Sequence, residues 1–191
     1  ALLERLVRGH GLDCGFAGDG LHDVYRDPHS FDSACAELPL LAQLGIATRV
    51  LDAGQLAADE PALLPGMAGA IHFPGDAHLR PDRYCAELAR LVREAGGVIE
   101  ENVAVLGFRR ERGGIGGVDT ADGPRTGREV LLALGSWSPA MLKPLGLRLP
   151  IQPGKGYSIT YDRPLLAPRR PIVLRERSVC VTTWGDGYRL G

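Results

Sequence analysis

Val130, Leu131, Leu132, Ala133 and Leu134 follow one another without a polar break, and this run constrains the fold more than any other stretch. A run of this length is too short to cross a membrane and suits a strand covered on both faces, where neither row of side chains meets water. An inner strand is therefore expected. Gly135 would let the backbone approach another group closely, and Ser136 to Pro139 turn the chain into Ala140, Met141, Leu142 and Lys143. Open α/β folds place ligands at the carboxyl edge of such strands. The same residues also suit a core strand followed by an ordinary turn.

A chain of 191 residues that is 45% hydrophobic can build one good core or two modest ones. Its net charge is -1 and its 22 basic residues are dispersed; the tightest group, Arg109, Arg110 and Arg112, encloses Glu111. Nucleic acid and anionic membranes are poor partners for such a surface. Cys14, Cys35, Cys85 and Cys180 are far apart, with no C-x-x-C pair and no histidine at ligand spacing. They are expected to be free thiols in a reducing compartment, with neither a zinc site nor a redox pair. No signal peptide opens the chain and no apolar run approaches the ~20 residues of a spanning helix. Ala1 falls within an amphipathic helical pattern, and Tyr188 to Gly191 reads as an unfinished strand and turn, so a piece of something longer is expected.

Along the chain, Leu2, Leu3, Leu6 and Val7 share a helical face that Gly9 and Gly11 end. A strand is expected over 18–25. A second helix follows, with Ser30 as N-cap, a buried stripe of Phe31, Ala34, Cys35, Leu38 and Leu41, and a kink or early stop at Pro39. Strand 46–51 leads into a capping box in which Asp52 accepts from the third helical amide and Gln55 reaches back. Strand 69–73 and a polar loop over 74–81 precede a helix from Asp82, with Tyr84, Leu88, Leu91, Val92 and Ala95 on its apolar face and Gly96 and Gly97 as its stop. Strands are then expected over 98–101, 103–110, 115–120 and 128–134, the last three joined by turns at Gly113-Gly114 and Ala121-Asp122-Gly123. An alternating strand over 157–161 and an antiparallel series over 172–174, 179–183 and from 188 complete the pattern.

Most motif readings fail on spacing. His72, Asp76 and His78 lie close in sequence, but not at the spacing of a helical or hairpin metal motif, so a loop lining a ligand cavity is the better reading. Ser136 and Ser138 lack the flanking glycines of a nucleophile elbow. Gly113, Gly114, Gly116 and Gly117 lie between strands instead of opening a helix, and read as a hairpin turn. Lys155, Gly156 and Tyr157 could present a cation and a phenol to a bound acid, or could be a solvated strand start.

Taken together, Asp13-Cys14-Gly15-Phe16, Glu60-Pro61-Ala62-Leu63, Gly69 to Pro74 with Asp76, Gly96-Gly97 to Val103, Leu132 to Ser138, Leu145 to Pro150 and Pro153 to Ser158 occur in the order seen in one family. The chain resembles the FAD-dependent D-amino-acid oxidoreductases, the group of D-amino-acid dehydrogenase small subunits and glycine oxidase, and the dehydrogenase branch more closely. The resemblance implies an α/β fold with α+β character: mixed and antiparallel sheets of a flavoenzyme substrate domain, with an inserted part of the FAD-binding domain. It implies that 1–78 and 147–191 belong to the substrate domain and 79–146 to the FAD-binding domain. The G-x-G-x-x-G turn that the family carries at its amino end is not in this sequence, so the chain alone is expected to be inactive and to bind FAD weakly or not at all.

Carried over by position, Val103 would face the adenine, Ala133, Leu134 and Gly135 would pass the pyrophosphate and ribose, and Trp137 would pack beside them. His78, Lys155 and Tyr157 would lie near the isoalloxazine and substrate; no residue is assigned a catalytic role and no metal is implied. The implied reaction moves a hydride from the α-carbon of a D-amino acid to flavin N5, giving an imine that water hydrolyses to a 2-oxo acid and ammonia. The implied partner is a small amino-acid substrate. The implied location is cytoplasmic, or peripheral to the inner membrane for a respiratory-chain dehydrogenase. The carboxylate-binding arginine expected around Thr182 and Thr183 is replaced by hydroxyls, with Arg175, Arg177 and Arg189 as substitutes. A secondary-amine oxidase and a non-enzymatic ligand-binding or interaction domain on the same scaffold are the alternatives.

Overall fold

The computed structural model describes residues 2–111 and 113–191; Ala1 and Arg112, named above, lie outside the described residues. In chain order the elements are α1 (Leu2–His10), β1 (Leu21–Tyr25), α2 (Pro28–Gln43), β2 (Arg49–Asp52), α3 (Ala53–Asp59), β3 (Gly69–Phe73) and α4 (Pro81–Glu94). They continue with β4 (Val105–Glu111), β5 (Gly114–Thr120), β6 (Gly123–Thr126), α5 (Ser138–Leu142), β7 (Ile159–Asp162), β8 (Ile172–Leu174), β9 (Val179–Thr183) and β10 (Gly187–Leu190). The expected combination of helices with mixed and antiparallel sheets is present. Two compact units emerge, one of residues 2–91 with 156–191 and one of 92–155. Among the described residues no helix is long and apolar enough to cross a membrane.

The first unit is built on a seven-stranded sheet in the order β2-β3-β1-β8-β9-β10-β7. Its neighbours pair antiparallel except β1 and β8, which run parallel. Register aligns Leu51, Ala70, Val24, Leu174 and Val179 in one row across five strands. Because side chains alternate along each strand, the next row on that face holds Arg49, His72, His22, Ile172, Val181 and Leu190. Leu56 of α3 covers the apolar row and is fully buried, which stabilises by roughly 1.5–3 kcal/mol. A second cluster of Val7, Leu12 and Cys14 joins α1 to Tyr84, Leu88 and Leu91 of α4.

Helix starts follow local chemistry. The Asp52–Gln55 capping box forms as expected: the Asp52 carboxylate accepts from Gln55 N at 2.8 Å and Gln55 Oε1 accepts from Asp52 N at 3.0 Å. The cap of α2 is Asp27, not Ser30; its carboxylate accepts from the Ser30 amide and hydroxyl, and Pro28 takes the first turn, where its missing N–H costs nothing. The stripe of Phe31, Ala34, Cys35, Leu38 and Leu41 is half-buried instead of buried, since the helix lies on the surface, and Pro39 sits inside it without ending it. Helix α4 starts at Pro81, one residue early.

The second unit holds the antiparallel sheet β4-β5-β6. Its hairpin turns fall at the expected glycines, but its third strand is Gly123–Thr126, not 128–134. Residues 127–134 join neither sheet, and Leu131 is 92% exposed, so the inner strand is corrected to a largely exposed segment without regular secondary structure. The strand expected over 98–101 is likewise unpaired, with Val98 exposed. A strand exists only with a ladder partner, and β6 occupies the place beside β5. Gly135 also departs from the reading: a Cβ there would meet nothing within 4 Å, and its left-handed φ of 51° is what favours glycine at the start of the 3₁₀ turn Gly135–Trp137.

Candidate functional site

The β9–β10 hairpin closes when Trp184 N donates to Gly187 O at 2.8 Å, which puts Gly185 and Asp186 at its tip. Across from it, Ala17 and His78 form an isolated antiparallel bridge through two 2.9 Å backbone hydrogen bonds, and Arg80 N donates to Cys14 O just before α4 begins. Asp186 ties the two sides together: both its oxygens accept from Arg80 Nη1, at 2.9 and 2.8 Å, and Oδ2 also accepts from Arg83 Nη2 at 3.0 Å. Asp82 accepts from the other edge of the Arg80 guanidinium. Those hydrogen bonds hold the Asp82 and Asp186 carboxyls below their ordinary range.

Between these walls lies a cavity of about 430 Å³, inside the range of small-molecule sites. Arg163 and Arg169, from the connection between β7 and β8, also line it, so four guanidiniums face a single carboxylate. The Trp184 ring has the Arg80 and Arg189 guanidinium carbons 5.7 and 5.2 Å from its centroid, within cation–π range. Three polar atoms of the lining, His78 Nδ1, Thr183 Oγ1 and Trp184 Nε1, are buried without a hydrogen-bond partner among the described residues. Burial lowers the His78 pKa, with the Asp19 carboxylate 3.8 Å away pulling the other way.

A second polar cluster is buried under α3. His22 Nε2 lies 3.1 Å from Asp59 Oδ2, Arg170 Nη1 donates to the same oxygen at 2.8 Å, and Arg170 Nε donates to Asp19 O. Glu60, with no exposure, accepts from Arg169 N at 2.8 Å, and the His72 ring is 4.8 Å from that of His22. Burial lowers the His22 pKa to about 4 and raises that of Glu60. The imidazole is therefore neutral at neutral pH. His22 and Glu60 are wholly buried and join β1, α3 and the segment before β8; Asp59, 27% exposed, also lines a cavity with Arg49, and His22 Nδ1 and His72 Nδ1 have no hydrogen-bond partner among the described residues.

Of the residues expected at the site, His78 lines the cavity and Tyr157, 81% exposed, precedes β7 in the first unit. Val103, Ala133, Leu134, Gly135, Trp137 and Lys155 belong to the second unit. There Val103 is half-buried, Ala133, Leu134, Gly135 and Trp137 are exposed, and Leu134 O accepts from Trp137 N at 3.1 Å. Among the substitute arginines, Arg175 approaches Asp23 at 3.8 Å and Arg177 lines another cavity. Arg189 stands directly across from Thr182 in the β9–β10 register and donates to Thr160 Oγ1 at 3.0 Å.

Sequence reasoning did not single out Arg80, Trp184, Asp186 or His22, and of His72, Asp76 and His78, read as lining one cavity, only His78 lines this one, since His72 belongs to β3 and packs against His22. For His22 a signal existed: alternation in β1 puts it on the same inward face as Val24. For the cavity there was none, because its walls come from segments about a hundred residues apart.

The family model described as FAD dependent oxidoreductase (DAO) matches residues 1–191. A D-amino acid dehydrogenase of Methylobacterium nodulans is 36% identical over 99% of this chain and 46% of its own length, and one of Agrobacterium fabrum is 32% identical over 94% and 42%. The chain thus spans under half the length of these relatives. Among solved structures, glycine oxidase from Geobacillus kaustophilus superposes with a TM-score of 0.87 at 24% identity, covering all of this chain and 51% of that one. Iminodiacetate oxidase from Chelativorans sp. BNC1 gives 0.82 at 25% identity, covering all of this chain and 52% of that one.

Proposed function

Since the chain belongs to the family of FAD dependent oxidoreductases, we propose that the protein acts in the oxidation of amino acids, with D-amino acids as substrates. The observation that carries this reading is the 36% identity to a D-amino acid dehydrogenase over nearly the whole chain. FAD, when bound, supplies the two-electron acceptor for an amino acid's α-carbon. The chain's own residues bind and align. The second unit, 92–155, which overlaps the 79–146 span expected from the sequence over 92–146, is assigned to the flavin side, with Val103, Ala133, Leu134, Gly135 and Trp137 against the dinucleotide.

The first unit is assigned to the substrate side, with His78 and Tyr157; the substrate role of Lys155, the last residue of the second unit, rests on the sequence resemblance alone. Arg189 is the best-supported partner for the substrate carboxylate, since it shares a face and a register position with Thr182, where the family resemblance calls for an arginine. A fork of two N–H donors would fix a carboxylate and so orient the α-carbon.

The test is anaerobic mixing of the flavin-loaded polypeptide, expressed at the length of its relatives, with D-alanine, L-alanine and sarcosine. Bleaching of the flavin band by the D-amino acid alone is expected. Bleaching by sarcosine alone would favour a secondary-amine oxidase, in line with the likeness to iminodiacetate oxidase. A polypeptide that never takes up flavin would point to a non-enzymatic domain.

A further inference from the structure

We propose that the cavity between the β9–β10 hairpin and the start of α4 binds a small oxyanion, the carboxylate or phosphate group of a ligand that no residue assignment above accounts for. Charge is the first argument. The lining brings Arg80, Arg83, Arg163 and Arg169 against Asp186 alone. Arg80 is committed to Asp82 and Asp186, and Arg83 to Asp186, which leaves Arg163 and Arg169 as the cations that no carboxylate of the lining neutralises. Guanidinium groups around a concave wall focus positive potential there and match oxyanions in pairs of hydrogen bonds.

Unmet hydrogen bonding is the second argument. Trp184 is 9% exposed, and among the described residues its indole N–H, Thr183 Oγ1 and His78 Nδ1 have no hydrogen-bond partner, the nearest carboxylate to the last being Asp19 at 3.8 Å. A buried polar group left without a partner is costly, because it has given up its hydrogen bonds to water. Three on one lining is the pattern of a wall whose partner comes from outside the chain. An oxyanion offers the acceptor the indole lacks, and a cation would be repelled by Arg163 and Arg169.

Arg189, the carboxylate partner proposed above, is not part of this lining, although its guanidinium carbon lies 5.2 Å from the centroid of the Trp184 ring at the edge of the site. Identifying the bound anion as a substrate's carboxylate would rest on the proposed substrate role of His78; the preference for an oxyanion rests on the lining alone.

The chain has two tryptophans, so Trp137→Phe leaves Trp184 as the single indole reporter. Its fluorescence is titrated with acetate, inorganic phosphate, D-alanine and D-alaninamide at constant ionic strength. Saturable changes with one or more oxyanions and none with the amide are expected. Arg163→Gln with Arg169→Gln should weaken binding by about tenfold or more, and the corresponding lysine pair should recover part of it. Competition between acetate and D-alanine assigns the anion to an amino acid, and a response to phosphate alone assigns it to a free or phosphorylated ligand. The proposal is overturned if no oxyanion saturates, if the amide binds as well as the acid, or if the glutamine pair with an unchanged melting temperature binds like its parent. Flavin bleaching is scored separately, so either reading can fail without the other.

Discussion

His22 Nε2 and Asp59 Oδ2, 37 residues apart in sequence, lie 3.1 Å from each other with the imidazole wholly buried. A strand of the sheet and the helix covering it are joined through a neutral histidine, held in a polar cluster that includes the Arg170 guanidinium and the Glu60 carboxyl.

Acid should unfold this protein earlier than its net charge suggests. His22 titrates near 4 in the fold and near 6.5 when unfolded. A lowered histidine contributes stability that is present above 6.5 and is lost as pH falls toward 4, in total about 3 kcal/mol. His72 and His78 are lowered too and act in the same direction. Glu60, raised by burial, acts the other way, favouring the fold as it protonates. Melting temperatures from pH 7 to 4.5 should fall, and His22→Gln should flatten the curve; a flat wild-type profile would sink this account.

Removing Arg170 should cost about 3 kcal/mol, because Asp59 and buried Glu60 then lose the guanidinium that neutralises them and keep only hydrogen bonds from His22 and the Arg169 amide. Arg170→Met is the cleanest variant, retaining most of the side-chain length. Urea unfolding at pH 7 reads the loss, and part of it should return at pH 5, where Glu60 is more easily protonated.

Asp52→Ala should destabilise by about 1 kcal/mol and Asp52→Asn by much less, since the amide oxygen can still cap. Equal losses in the two variants would show that charge, not the capping hydrogen bond, is at work.

Gly69→Ala should be among the costlier small substitutions, at about 1–3 kcal/mol. A Cβ at Gly69 would lie 2.5 Å from Phe31 Cζ and 2.6 Å from Leu51 O, so both the ring of α2 and the backbone of β2 would have to move. Gly75→Ala, where nothing lies within 4 Å, is the control and should change little.

Amides of residues 128–133 should exchange with solvent faster than those of β5, because the stretch joins no sheet. If this stretch contacts the dinucleotide, flavin loading of the longer polypeptide should slow them. Mass-resolved hydrogen exchange measures both states, and slow exchange in the present chain would contradict the exposed placement.

Local chemistry was legible in the sequence wherever neighbouring residues decide the outcome. The Asp52–Gln55 box and the hairpin glycines of β4-β5-β6 depend on backbone groups a few positions away, so spacing alone specifies them. Periodicity marked the half-buried face of α2, and the ordered motifs led to the family. What spacing could not supply was the partner. The apolar run 130–134 reads as a strand, yet β6 holds the place beside β5 and the run lies exposed, because a ladder needs a second backbone. Asp27 instead of Ser30 caps α2 because Pro28 fixes where the first turn begins. The His22 cluster and the arginine-lined cavity exist only once β1, α3, α4 and the β9–β10 hairpin have packed. Burial and charge pairing between distant residues are properties of the tertiary structure, and they decide which of many ordinary histidines and arginines face one another.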